Sequence, residues 1–155
     1  MIRRVSAKDD RGQALVEMAL VAVMFFFVFF GILEFSRALF TYNTIVQSTR
    51  AAARWAVVNV GSNADAANIT KTKNIVVYHN PDGLGTPILS GLTPSLVSVS
   101  VQTIESDSQG RAISQKILVK VTGFQFRFVL PIVGTITIPA FETSLYTESM
   151  GFVPS

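Results

Sequence analysis

The chain has 155 residues, a net charge of +3, no cysteine and one histidine. That length gives one modest domain with appendages, and the missing cysteines and lone His79 exclude disulfides, thiolate metal sites, histidine triads and multi-histidine metal centres. Without residues 1–12 the net charge falls to +1. The basic balance is thus largely a leader effect, and with no Lys/Arg stripe among aromatics, nucleic acid is not an expected partner.

The leader carries Arg3, Arg4, Lys8 and Arg11 against Asp9 and Asp10. From Met18 to Leu33 there is then no charge, no polar side chain and no proline, and five of the twelve phenylalanines fall between Phe25 and Phe30. With Ala14 to Val16 the block is about 20 residues long, or about 30 Å of helix, enough to cross a bilayer core. The basic side should stay cytoplasmic and the long carboxy-terminal part should lie outside. Glu17 sits one turn inside this block. A charge costs roughly 2.5–3.5 kcal/mol at a bilayer centre and less near the edge, so compensation is expected.

Three readings of this segment compete. A secretory signal peptide has an apolar core of about 7–15 residues and a small-residue cleavage site, whereas this block is longer and runs into Glu34-Phe35-Ser36-Arg37. A plain signal anchor leaves Glu17 unexplained. The third is a prepilin-type leader: Gly12 followed by Gln13-Ala14-Leu15-Val16-Glu17 is similar to the class III signal of type IV pilin-like proteins. Continuing through Ala19-Leu20, Phe30-Gly31-Ile32-Leu33-Glu34-Phe35-Ser36-Arg37 and Ala51-Ala52-Ala53-Arg54-Trp55-Ala56, the chain resembles the TadE-like minor pilins of bacterial tight-adherence (Flp) systems. Met18 stands where the family usually has an aromatic after the glutamate, and Gln13 replaces the phenylalanine that begins many other mature pilins.

The resemblance implies cleavage after Gly12 by a membrane prepilin peptidase, with Glu17 as the fifth mature residue. It also implies partners: other minor pilins, the major Flp pilin and the inner-membrane assembly platform. The chemistry is coherent. Glycine offers a protease cleft an unhindered backbone, and cleavage frees an ammonium at Gln13. In a packed filament Glu17 would reach a neighbour's ammonium, a pair that rewards correct axial stagger because either charge alone in low dielectric is expensive. The expected layout is a cleaved cytoplasmic leader (1–12), a transmembrane helix (13–33), an amphipathic extension (34–60) and a periplasmic or extracellular antiparallel β domain (61–155). The resemblance implies a single-pass protein of the bacterial inner membrane, with incorporation into an extracellular pilus as one expected fate. Two alternatives stay open: an uncleaved bitopic binding module, and a type II secretion pseudopilin.

Beyond the membrane, Phe35, Leu39, Tyr42, Val46, Thr49, Ala53 and Ala56 recur at spacings of four and three and predict one helical stripe. Arg37, Asn43, Ser48 and Arg54 are expected on the opposite side. Gly31 costs about 1 kcal/mol relative to alanine in a helix and is expected at a bend or a close helix–helix approach, an assembly position like Glu17. The helix is expected from Gln13 to about Val58, with turn residues from Gly61 to Asp65 ending it.

After Ala66 the period is read as two. Asn74 to Tyr78 is expected as a short strand closed by the turn His79-Asn80-Pro81-Asp82-Gly83, with a loop over 84–95. Leu96 to Ile104 alternates, with Val97, Val99 and Val101 on one face, and pairs through an Asp107–Gly110 hairpin turn with Ile113 to Val121. At Thr122-Gly123 the apolar parity flips to Phe124, Phe126 and Phe128, which reads as a β-bulge, a tight hairpin being the alternative. Leu130-Pro131 ends that strand. Thr135 to Ile138 and Phe141 to Tyr146 form a final pair broken at Pro139. The fold expected is α+β and pilin-like: a long amino-terminal helix, half transmembrane and half amphipathic, packed on a small antiparallel sheet. No phosphate loop is present, and Glu105 and Asp107 read as solvated turn acids rather than a calcium site. Neither a cofactor nor catalysis is expected.

Overall fold

The computed structural model describes residues 7–60, 65–106, 108, 112–129 and 134–148. Helix α1 spans Ala7–Asn59, 53 residues or about 80 Å at 1.5 Å per residue. It begins before Gln13, the expected start, so Gly12 lies inside the helix.

The outer half of α1 buries Thr41, Ile45, Ser48, Thr49, Ala52, Ala53 and Ala56. This corrects the expected stripe. Ser48 is wholly buried rather than on the far side, while Phe35, Leu39 and Tyr42 are exposed. Apart from Ile45 the buried residues are small, which lets another element approach closely. Their hydroxyls are satisfied within the helix: Ser48 Oγ donates to the Ile45 carbonyl at 3.0 Å, and Thr49 Oγ1 to the same carbonyl at 3.0 Å. No polar atom is stranded on this face.

Residues 74–78 are not a strand. They end helix α2, Ala66–Tyr78. Asp65 caps its start by accepting from the Ala67 N–H at 3.1 Å, and His79 closes it in the left-handed conformation, its N–H bonded to the Ile75 carbonyl. The run Ile75-Val76-Val77 is intrinsically strand-prone, but burial decides: Thr72, Ile75, Val76 and Val77 are all buried. Asn68 Nδ2 donates to the Asn59 carbonyl at 2.6 Å and ties the start of α2 to the end of α1.

A short 3-10 turn, Pro94–Leu96, leads into β1, Val97–Ser106, which pairs antiparallel with β2, Ala112–Val121. Of the turn between them, Asp107, Gln109 and Gly110 lie outside the described residues. The flip at Thr122-Gly123 is neither a bulge nor a hairpin. Gly123 takes φ +74°, and the chain leaves the first sheet for a second one. There β3, Gln125–Arg127, pairs with β4, Thr135–Thr137. Of the residues joining them, Leu130-Pro131 also lies outside the described set. The last two strands are not partners either. After β4, strand β5, Phe141–Glu148, returns to the first sheet beside β2, giving the order β1-β2-β5.

Helix α1 packs on β2 and β5, and α2 packs on β1 and α1. The core between them holds Val76, Val77, Val97, Ile117, Val119, Val121 and Phe124. Tyr42 meets Phe141 edge-on at 5.8 Å, and the Thr49 and Thr143 hydroxyls lie 3.3 Å apart. The expected α+β class, a long amino-terminal helix over a small antiparallel sheet, is the class observed.

Candidate functional site

All four residues expected to matter, Gly12, Gln13, Glu17 and Gly31, lie on the amino-terminal half of α1 and are exposed. Gln13 and Glu17 are one turn apart, about 6 Å along the axis, and share a face. Two heptads separate Glu17 from Gly31, and with a drift of about 20° per heptad they remain on the same side. A Cβ at either Gly12 or Gly31 would meet no atom within 4 Å. Neither glycine is therefore required by packing within one chain.

Around these residues the helix is apolar on every side. Its best window has a mean hydropathy of 2.6 with none of it buried, and Leu15, Met18, Leu20, Met24 and Phe25 through Phe30 all stand exposed. Phe25 stacks on Phe29 at 6.2 Å, and Phe26 on Phe30 at 6.1 Å. This is the surface of a helix long and apolar enough to span a membrane. Glu17 makes no ion pair among the described residues.

A second cluster, missed in the sequence, lies where the apolar block ends. Glu34 and Arg37 form an ion pair at 2.9 Å, with the Glu34 side chain only 12% exposed. Arg37 Nη2 also donates to the Arg127 carbonyl, and its guanidinium lies 4.6 Å from the centre of the Phe126 ring. Phe126 meets Phe128 edge-on at 5.1 Å. The second Glu34 oxygen, Oε1, accepts from the Val129 N–H at 3.3 Å. Glu34 and Arg37 thus clamp the β3–β4 ribbon to α1. The signal was available: opposite charges three residues apart, directly after an apolar block, on a helix.

An open groove lies beside this clamp, between the Leu89–Thr93 loop and the ribbon, and its lining carries two charged side chains, Arg37 and Arg127. Among the described residues no group of three or more His, Cys, Asp or Glu is placed to hold a metal ion. Over residues 14–33 the chain presents an exposed apolar stretch of helix with one acid, Glu17, and beyond it a small α+β head.

No curated protein and no solved structure matches the chain. Residues 12–54 match the family model described as TadE-like protein, a stretch that takes in the glycine–glutamate signature, the apolar block, the Glu34–Arg37 clamp and most of the buried small-residue stripe. Over residues 12–54, most of the helix that organises its fold, the chain is similar to the TadE-like family.

Proposed function

We propose that this chain is a minor pilin of a Flp-type pilus. A prepilin peptidase removes residues 1–12, residues 13–33 hold the mature subunit in the bacterial inner membrane, and the head from 61 onward lies in the periplasm. The subunit then joins other minor pilins and the major Flp pilin at the assembly platform, to start or complete a filament used in adhesion or secretion. The observation that carries this reading is Glu17: one acid in the otherwise apolar, unburied stretch of α1 from Ala14 to Leu33, five residues after Gly12.

The mechanism is electrostatic. In one subunit Glu17 stands on the face of Gln13, one turn away. Packed against a neighbour at the right stagger, the carboxylate meets that neighbour's terminal ammonium in a low-dielectric setting, and both desolvation costs are offset together. At any other stagger two charges stay unpaired. Gly31 lies on the same side and, lacking a side chain, lets a second helix come close there. The small-residue stripe of α1 serves the head rather than a neighbour, since it is already covered by α2 and the first sheet.

The test is Glu17→Ala in the pilus-forming host. Membrane insertion stays intact, because removing the charge makes the block more apolar, while incorporation into filaments falls. Undiminished incorporation would refute the ammonium pairing. An uncleaved anchor is told apart by Gly12→Leu, which blocks processing of a pilin and leaves a plain anchor unaffected.

A further inference from the structure

The chain from Arg127 to Val129 runs opposite to α1, a direction fixed by the clamp. The carbonyl of Arg127 is tied to Arg37, and two residues on, the Val129 N–H is tied to Glu34. Arg37 and Glu34 are about 4.5 Å apart along the helix axis, so the chain leaving β3 at Arg127 descends along the helix toward its apolar end. Val129 is thereby held level with Glu34, the residue that follows Leu33, where the apolar block stops.

The surface at this level is mixed in character. Val129 is 73% exposed, Phe35 64% and Leu33 50%. The exposed Arg127 side chain lies on the ribbon face opposite the inward Phe126 and Phe128, and Arg37 keeps 44% of its side chain exposed despite its three contacts. Apolar groups with arginines just above them suit a headgroup boundary, where carbon meets the acyl edge and guanidinium meets phosphate.

We propose that the segment leaving β3 at Val129 is a second membrane contact, resting on the outer surface of the bilayer beside the spanning helix. Val129, Leu33 and Phe35 enter the acyl boundary, and Arg37 and Arg127 face lipid phosphates. The partner is lipid because the chain itself sets the height: the clamp places this surface where the span ends. The inference rests on the reading that the apolar block crosses the bilayer. Its consequence is orientation, since two contacts on one rigid clamp fix the tilt and rotation of the head relative to the membrane.

The chain has no cysteine, so single thiols can be placed at will. Val129→Cys, Phe26→Cys in mid-span and Val58→Cys at the far end of α1 are each labelled with an environment-sensitive nitrobenzoxadiazole dye. The full chain is placed in phosphatidylcholine vesicles with or without phosphatidylglycerol, and quenched by nitroxide lipids labelled at the headgroup or deep in the chain. The expected result is deep quenching at Phe26→Cys, headgroup-level quenching with a blue shift at Val129→Cys, and neither at Val58→Cys. Quenching at Val129→Cys should strengthen with phosphatidylglycerol, and equal quenching in both lipids would overturn the phosphate contact. Deep quenching at Phe26→Cys with none at Val129→Cys overturns the ribbon contact while the span stands. No quenching at Phe26→Cys removes the span and the proposal with it. Protection of Val129→Cys that grows only with protein density assigns this surface to a neighbouring chain instead and refutes the lipid contact.

Discussion

Replacing Arg37 with methionine keeps the unbranched, helix-favouring stem and removes the charge, so it isolates what the guanidinium does at the clamp. Three contacts are lost. The ion pair with Glu34 is 44% exposed on the arginine side, so screening limits it to about 0.5 kcal/mol. The contact over Phe126 is worth about 0.5–1 kcal/mol, and the hydrogen bond to the Arg127 carbonyl about 1 kcal/mol. Together they amount to about 2 kcal/mol, or about 30-fold in an opening equilibrium. The loss should be local, because Phe126 lies outside the core cluster that contains Ile117, Val119 and Phe124. Hydrogen exchange of the full chain in nanodiscs reads it directly. Exchange of the Phe128 and Val129 amides, bonded to the Gly134 carbonyl and to Glu34, should rise by about that factor, while β1, β2 and β5 hold. Unchanged exchange in the ribbon, or an equal rise in the first sheet, would refute the clamp as the ribbon's attachment.

Further predictions concern the head and the rod. Gly83 takes φ +71° and a Cβ there would lie 2.9 Å from Asn74 Nδ2, which is itself bonded to the Pro81 carbonyl at 3.1 Å. Gly83→Ala should therefore cost about 1–2 kcal/mol in thermal unfolding; an unchanged melting temperature would contradict the turn geometry. Ile117 is wholly buried at the centre of the first sheet, so Ile117→Ala should lower stability by about 2–5 kcal/mol in denaturant unfolding. A loss below about 1 kcal/mol would show that the head is not built around that sheet. Asp65→Ala removes the cap on α2 and should cost about 1 kcal/mol by the same measurement.

The parts of the fold with a strong single period were legible. The apolar block, the alternation of Val97, Val99 and Val101, and the inward Phe124 and Phe126 all fall where their spacing puts them. The failures share a cause: a local preference was overruled by packing. Ile75-Val76-Val77 favours a strand as three β-branched residues, yet Ile69, Thr72 and Val76 already stand at helical spacing, and Asp65 supplies a cap. Ser48 looks like a solvent residue until a neighbour needs close approach, and its hydroxyl can be satisfied by its own helix. Gly123 marks a change of direction, but which sheet the chain enters next is decided by long-range pairing with Thr135–Thr137, which no local pattern encodes. At the candidate site the glycine–glutamate spacing is a short-range signal, carried by the sequence alone. Glu34 and Arg37 were visible as residues but not as a clamp, since their partner lies about ninety positions away.

On the proposed function, Glu17 is tolerated in the apolar block because cleavage supplies a cationic chain end to pair with it. Intact-mass analysis of the protein purified from membranes of a host that carries the prepilin peptidase tests this most directly. A polypeptide beginning at Gln13 is the predicted result. A functional, filament-incorporated protein that still begins at Met1, or at any residue other than Gln13, would contradict it.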